Sequence, residues 1–377
     1  MKKSLIALAV LTVSSAAFAQ STVTLSGNID LAYINAKTAD GGEFQGLQNG
    51  PTSTSKIIFA GSEDLGGGLS AIFRINSTIA ADRGNTFVRQ VNPNLGTGVA
   101  ATAATNQGLA FGDRDLYIGL KGGFGELRAG RNQSISDDNN NAGANAGSVW
   151  TYFMANSSAQ AGVNNAFGSA APTLGAAGRI PDSLKYASPV FQGFQVQALY
   201  GFGERDNYVA QGVVTEAQLS YTQGPFAVAY SMGKIADAPD DATTFAAVAA
   251  SSTQAALSAA SAGAEATENR LMASYDLGVA RLAAGTYSQK AAGAAADTAS
   301  HLTVTVPMNA WTLGATYMTV KDAQATTTTA KINGYSVSAR YALSKRTYAY
   351  AFYRTMDQTA AQTTAPKGTY IGMNHSF

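Results

Sequence analysis

The sequence predicts an all-β protein, a sixteen-stranded antiparallel β-barrel that crosses a membrane. Three observations support this: alternating apolar and polar residues, connections that alternate between short and long, and low charge without long apolar segments. Of the 377 residues, 46% are hydrophobic and 13% are charged, against about 25% charged residues in soluble domains. A strand that spans a membrane needs one apolar and one polar face, so this composition favours a barrel.

The composition excludes several kinds of site and partner. The chain has no cysteine and two histidines, so disulfide scaffolds, cysteine-ligated metals and multi-histidine metal sites are not expected. Its formal net charge of +1 does not provide the basic surface on which nucleic-acid binding depends. We therefore expect no cofactor, no metal and no nucleic-acid partner.

The N-terminus has the pattern of a secretory signal peptide. Two lysines precede an apolar segment at residues 5–13, and Ala17-Phe18-Ala19 follows as a small-x-small cleavage site. We expect residues 1–19 to be removed near Ala19/Gln20, which leaves residues 20–377 as the barrel domain.

Period-two alternation runs through the rest of the chain. In the first segment, the apolar residues Val23, Leu25 and Ile29 alternate with polar ones such as Ser26 and Asp30, as in a strand with one wet face. Sixteen strands are predicted, starting near residues 21, 55, 69, 113, 126, 183, 194, 214, 226, 269, 280, 301, 312, 332, 347 and 368.

The connections between these strands alternate in length. Short turns such as 64–68 and 224–225 alternate with long loops of small and polar residues, which start with 37–54 and include 133–182 as the longest. This asymmetry is typical of transmembrane barrels and is not a feature of soluble β-sandwiches. Because lipid offers no hydrogen bonds, the sheet must close and leave no edge.

Two further patterns concern the strand ends. Aromatic residues there would form girdles on the outward face at the two membrane interfaces. The outward aromatics are predicted to be Tyr33, Phe59, Tyr200, Tyr221, Tyr230, Trp311, Tyr317 and Tyr370.

The last predicted strand runs to the end of the chain. Ile371, Met373 and Phe377 continue one parity to the last residue, so this strand should close against the first. The terminal Phe377 also resembles the assembly signal of outer-membrane barrels.

Four stretches of the chain resemble the general porins of β-proteobacteria. They are residues 21–30 (STVTLSGNID), 55–66 (SKIIFAGSEDLG), 124–131 (FGELRAGR) and 372–377 (GMNHSF). The resemblance implies a homotrimer in the outer membrane of a Gram-negative bacterium, in contact with outer-membrane lipid and lipopolysaccharide. It also implies that the third external loop, here residues 133–182, folds inward and narrows the pore.

Basic residues on the wall are predicted to line the pore constriction, where a cationic wall attracts anions and hinders cations. These residues are Lys56, Arg74, Arg128, Arg131 and Arg340. Arg131 matches the constriction arginine that the resemblance implies, but it shares the parity of the apolar Leu127. A bulge at Gly130 or the end of the strand must therefore turn it inward. The alternative reading is that these are ordinary solvated residues of the lumen.

The third loop is expected to set acidic groups against this wall. Asp137 and Asp138 stand at its start, and no charged residue occurs from Asn139 to Gly178. We therefore expect a weak transverse field across the constriction.

The sequence thus predicts a porin, a water-filled channel for passive diffusion of ions and small hydrophilic solutes with a mild preference for anions. No enzymatic activity is predicted, because neither His301 nor His375 stands in a pattern that indicates a serine–histidine triad. Two alternatives remain open: a surface adhesin or binding protein that acts through its external loops, and a substrate-selective channel.

Overall fold

A computed structural model describes residues 22–37, 43–82, 85–86, 111–135, 179–202, 205–206, 209–210, 213–236, 265–291, 296–322, 330–357, 365 and 367–377. The strands are β1 (Thr22–Lys37), β2 (Glu43–Asn49), β3 (Lys56–Gly66), β4 (Leu69–Ala80), β5 (Asn85–Thr86), β6 (Leu116–Gly122), β7 (Gly125–Gln133), β8 (Arg179–Ala187), β9 (Phe194–Gly201), β10 (Arg205–Asp206), β11 (Val209–Ala210), β12 (Val213–Gln223), β13 (Phe226–Ala236), β14 (Ala266–Asp276), β15 (Arg281–Ala291), β16 (Asp297–Met308), β17 (Trp311–Asp322), β18 (Ala330–Ala342), β19 (Thr347–Met356) and β20 (Lys367–Ser376). Within these ranges, no helix is both long enough and apolar enough to cross a membrane.

The wall is one closed antiparallel sheet of sixteen strands. Each wall strand pairs with the next along the chain, and β1 pairs with β20 on one side and with β2 and β3 on the other. β2 and β3 follow one another along β1 and together make the second wall strand, while β5 is a two-residue extension beside β4. β10 and β11 form a separate pair. The predicted sixteen-stranded antiparallel barrel is confirmed.

The predicted loop over residues 37–54 is wrong in part, because Glu43–Asn49 is strand β2. Its sequence, EFQGLQN, lacks the apolar alternation of the other strands. The strand forms because its backbone pairs with β1, from Leu31 opposite Asn49 to Lys37 opposite Glu43. Residues 50–55 separate it from β3.

Side-chain parity separates the two faces of the wall. On β1, Val23 and Leu25 are 69% and 55% exposed on the outer face, whereas Asp30 and Ala32 are buried on the inner face. An apolar outer face suits a lipid environment, and the closed sheet satisfies the hydrogen bonds of the backbone.

Tyr370 is a correction to the predicted outward aromatics, because its side chain is fully buried on the inner face. On β20 the alternate residues Ile371 and Met373 are exposed on the outer face, which leaves Tyr370 the opposite parity. Tyr33 and Tyr317, by contrast, are exposed on the outer face as expected.

Short turns close one end of the barrel. The carboxylate of Asp64 accepts a hydrogen bond from the backbone N–H of Gly66, and Asp276 does the same with Gly278, both at 2.8 Å. Both glycines have positive φ, which these tight turns require. The acidic side chain and the glycine thus form the turn together.

The chain end closes the barrel as expected. Phe377 and Gly27 exchange two backbone hydrogen bonds of 3.1 Å, beyond the paired region of β1 and β20. The predicted signal peptide, residues 1–19, and most of the predicted long loops lie outside the described residues.

Candidate functional site

Basic side chains converge on one part of the inner wall, built by β3, β4 and β8 with the segment that leads into β6. Lys56 opens β3, Arg74 lies in β4 and Arg179 opens β8. Arg114 belongs to the segment before β6, where its backbone N–H donates to the carbonyl of Asn76 at 3.1 Å. The hydrogen-bond register of the sheet thereby brings together residues that are far apart in the chain.

Asp115 lies at the centre of this group. Nε of Arg179 donates to its Oδ1 at 2.9 Å, and Nε of Arg74 lies 3.4 Å from its Oδ2. Nδ2 of Asn76 donates to Oδ2 at 3.1 Å. The carboxylate therefore orients two guanidinium groups from different strands. We call Lys56, Arg74, Arg114, Asp115 and Arg179 the Asp115 cluster.

The charges of the Asp115 cluster do not balance. Asp115 stands outside the strands; burial acts to raise its pKa, but Arg179, the Asn76 amide, Arg114 and Arg74 together hold that pKa below its ordinary value. Lys56 is half-buried and interacts with the same three arginines as well as with Asp115. Within this cluster the basic groups therefore outnumber the ionised carboxylate by four to one.

Arg128 lies on the neighbouring strand β7, with its guanidinium carbon 4.7 Å from the centre of the Tyr117 ring. It forms an ion pair with Glu126 of the same strand. Across the sheet it pairs with Lys185, whose Nζ donates to the carbonyl of Gln133 at 2.8 Å. Arg128 therefore has an acidic partner on its own strand, whereas the basic groups of the Asp115 cluster share one carboxylate.

Arg131 occupies a register shift of β7, between Gly130 and Asn132. Its Nε donates to the carbonyls of Asp113 and Arg114, both at 3.1 Å. The side chain thus braces the backbone segment that carries Arg114 and Asp115. Because Arg131 has the parity of Leu127, the sequence predicts that a bulge at Gly130 or the end of the strand turns it inward, and β7 has a register shift at this place.

Arg340 belongs to a different part of the inner wall. Its guanidinium carbon lies 5.1 Å from the centre of the Tyr348 ring, and the Tyr348 hydroxyl lies 3.1 Å from Oγ1 of Thr52. Here the inner face carries an aromatic and aliphatic core, made of Ala32, Ile34, Ala36, Tyr350, Phe352 and Tyr370. The structure therefore does not bring Arg340 into the Asp115 cluster.

The start of the predicted third loop lies on the inner face. Ile135 is fully buried against Ile180, Leu199 and Val214. Its backbone N–H donates to Oε2 of Glu216 at 2.6 Å. The chain thus leaves β7 toward the lumen, while the predicted acids Asp137 and Asp138 lie outside the described residues.

The prediction from sequence missed Arg114, Asp115, Arg179 and Lys185 as members of the wall. Parity was available as a signal for Asp115, which alternates with Leu116 and Ile118. Parity does not say which strands lie side by side at one height of the lumen. Within the described part of the chain, no group of three or more His, Cys, Asp or Glu residues is placed to hold a metal ion.

Comparison with known proteins gives one family and several relatives. The model of the Gram-negative porin family matches residues 4–361. Outer membrane porin protein 32 of Delftia acidovorans is 44% identical over 133 residues, which cover 35% of this chain and 32% of that protein. Major outer membrane protein P.IB of Neisseria lactamica is 32% identical over 240 residues, or 61% of this chain and 58% of the relative. The matches thus span about a third to three-fifths of the relatives' length.

Solved structures match over nearly the whole chain. An anion-selective porin from Comamonas acidovorans has a TM-score of 0.71 at 20% identity, with 95% of this chain and 100% of that chain covered. A trimer form of OmpT from Vibrio cholerae has a TM-score of 0.59 at 16% identity, with 95% and 99% covered. At these identities the likeness shows a shared fold.

Proposed function

Because this chain belongs to the Gram-negative porin family, we propose that it forms a water-filled channel in the outer membrane. Ions and small hydrophilic solutes cross it by passive diffusion, with a mild preference for anions. The observation that carries the proposal is the Asp115 cluster, in which four basic groups face one carboxylate inside a closed barrel. Where a pore is narrow, a wall on which basic groups outnumber acidic ones attracts anions and raises the energy barrier for the passage of cations.

In this proposal the wall residues have different roles. Lys56, Arg74 and Arg179 supply the positive field together with Arg114, and Asp115 orients the guanidinium groups. Arg131 supports the backbone that carries Arg114, Arg128 contributes from the neighbouring strand β7, and Arg340 contributes from a different part of the inner wall.

The third loop completes the constriction in this proposal. The described chain reaches the inner wall at Ile135, and we propose that Asp137 and Asp138, which follow it in the sequence, oppose the basic wall. A small number of loop acids against a larger number of basic groups leaves the anion preference mild. A fold neighbour described as an anion-selective porin agrees with this sign.

The assembly follows from the same family. We infer a homotrimer whose remaining outer surface contacts outer-membrane lipid and lipopolysaccharide. The apolar outer face, with residues such as Leu25 and Ile29, suits both lipid and a sister subunit. A solved structure of this fold is described as a trimer form.

The reversal potential across a KCl gradient in a planar bilayer tests the proposal. We expect ohmic single channels and a reversal potential displaced toward the value for chloride. Arg74→Ala should reduce that displacement, whereas Lys345→Gln, in an exposed turn outside the lumen, should leave it unchanged. Well-assembled protein without conductance, or with a preference for cations, would overturn the proposal.

A further inference from the structure

A row of side chains crosses the inner wall on β14 to β17, away from the Asp115 cluster. Met272, Gly285, His301 and Met318 lie directly opposite one another across successive strands. Their outer-face neighbours, such as Leu302, are exposed, whereas Met272 and Met318 are each only 5% exposed. The row therefore belongs to the lumen side of the wall.

Gly285 leaves the space in which Met272 and His301 meet. A Cβ atom at this glycine would collide with Sδ of Met272 and would lie 2.6 Å from Cε1 of His301. The thioether of Met272 thus reaches over β15 toward the edge of the imidazole. Met318 is paired with His301 from the other side. His301 thus has a methionine in register on each side, Met272 across Gly285 and Met318 on the adjacent strand.

The imidazole has a nitrogen without a hydrogen-bond partner. Nε2 of His301 is buried and receives or donates no hydrogen bond, although it is bonded to Cε1, the atom that faces Met272. On the same face, the residues two positions away from His301 and Met318 are Thr303 and Thr316, whose hydroxyl groups are hydrogen-bonded to each other at 2.9 Å. A buried nitrogen that lacks a partner is unfavourable and calls for a ligand.

We propose that Met272, His301 and Met318 form a binding site for one soft monovalent metal ion, Cu(I), on the wall of the lumen. Thioether sulfur and imidazole nitrogen are soft or borderline donors, which select Cu(I) over hard ions such as Mg²⁺ or Ca²⁺. The ion would give Nε2 the partner that the protein does not supply. The site is separate from the anion-attracting wall, so it adds a property to the channel and does not depend on its ion preference.

Silver(I) is the probe for this site, because it has the same preference for sulfur and nitrogen as Cu(I) and is not oxidised. Purified, folded protein is titrated with silver nitrate in chloride-free buffer by calorimetry. We expect one tight site per protomer. Met272→Leu and Met318→Leu conserve side-chain volume and should each weaken binding at least tenfold, a loss that His301→Leu should share.

The control is Met232→Leu, a methionine that is 50% exposed on the outer face of β13. This variant should bind silver as the wild type does. Unchanged affinity in both Met272→Leu and Met318→Leu, or no saturable site in the wild type, would overturn the proposal.

X-ray absorption of the silver-loaded wild type needs no variant to fold. It should show sulfur together with nitrogen around the metal, and a first shell without sulfur would equally overturn the site. Conductance measured without silver reports on the channel alone, so a failure of the channel proposal is distinguishable from a failure of the metal site.

Discussion

The hydroxyl of Tyr350 donates a hydrogen bond of 2.5 Å to Oδ1 of Asp30, across 320 positions of sequence. Tyr350 lies on β19 and Asp30 on β1, so the contact passes over β20 at Gly372, which is paired with both strands. The other carboxylate oxygen accepts from the backbone N–H groups of Thr52 and Ser53 at 2.7 and 2.6 Å. On the inner face, the buried carboxylate of Asp30 thus links β1 to β19, across the place where β1 and β20 close the barrel. We call this place the closure seam.

Tyr350→Phe should destabilise the barrel by about 1.5–3 kcal/mol, the usual contribution of a hydrogen bond to a charged group. The variant leaves the ring and its packing in place and removes only the hydroxyl. The measurement is urea unfolding in lipid vesicles, followed by tryptophan fluorescence and by the mobility of the folded band. Tyr335→Phe, on the outer face and 54% exposed, is the matched control and should change stability little. Equal stability of the two variants would show that the hydrogen bond from Tyr350 to Asp30 does not stabilise the closure of the barrel between β1 and β20.

Gly372→Ala should also destabilise the closure of the barrel, where β20 lies between β1 and β19. Its Cβ would lie 2.5 Å from the Tyr350 hydroxyl and 2.6 Å from the Leu31 carbonyl. Since the backbone carbonyl cannot move aside freely, we expect a loss of about 1–3 kcal/mol in the same unfolding assay. Gly123→Ala is the control, because nothing lies within 4 Å of the added atom. A Gly372→Ala barrel as stable as the Gly123→Ala barrel would contradict the tight crossing of Tyr350 over β20.

Asp115→Asn should increase the preference for anions. The change removes the one negative charge at the centre of the Asp115 cluster and keeps the size of the side chain. The reversal potential across a KCl gradient should therefore move further toward the value for chloride. A shift toward the value for potassium would mean that orienting Arg74 and Arg179 matters more than the charge of Asp115 itself. Glu265→Gln, which neutralises an exposed carboxylate beside Lys234, should leave the potential unchanged.

Arg179→Gln should decrease the preference for anions more than Arg128→Gln. Arg179 belongs to a cluster in which four basic groups share the carboxylate of Asp115, whereas Arg128 forms an ion pair with Glu126 of its own strand. The comparison uses the same reversal-potential measurement on both variants. Equal effects of the two substitutions would show that the Glu126 pair does not screen Arg128 from permeating ions.

Glu216→Ala should loosen the entry of the third loop. The carboxylate accepts the backbone N–H of Ile135 at 2.6 Å, and this bond holds the residue at the inner wall. We expect more open-channel current noise in single-channel records, because the start of the loop loses its anchor. Glu216→Gln keeps an acceptor and should be nearer to the wild type. Identical noise in wild type and Glu216→Ala would show that the anchor does not control the pore.

The strand count could be predicted from sequence because each strand carries its own pattern. Val23, Leu25 and Ile29 share one parity of β1 and lie exposed on the outer face whatever strand lies beside them, because successive side chains of a strand point to opposite faces. β2 was not predicted, because its backbone pairing with β1 makes it a strand, whereas its residue pattern does not indicate one. The aromatic character of Tyr370 predicts an outward position at a membrane interface, but its parity is opposite to that of Ile371 and Met373, and it lies on the inner face.

The candidate site was only partly predictable. The parity of Lys56 and Arg74 predicts that both side chains point into the lumen. No such prediction is possible for Arg179, because it stands at the end of the long third loop, where no alternation of apolar and polar residues indicates a face.

By itself the sequence determined the fold class, the order of the strands and the face of most side chains, because the two-residue period of a strand is a local property. Only the tertiary structure decided which side chains from different strands come into contact. The contact of Arg179 with Asp115, the crossing of Tyr350 to Asp30 and the row from Met272 to Met318 all depend on the register between strands. Register is set by pairing between distant segments and by bulges such as the one at Arg131, so it cannot be derived from any single stretch of sequence.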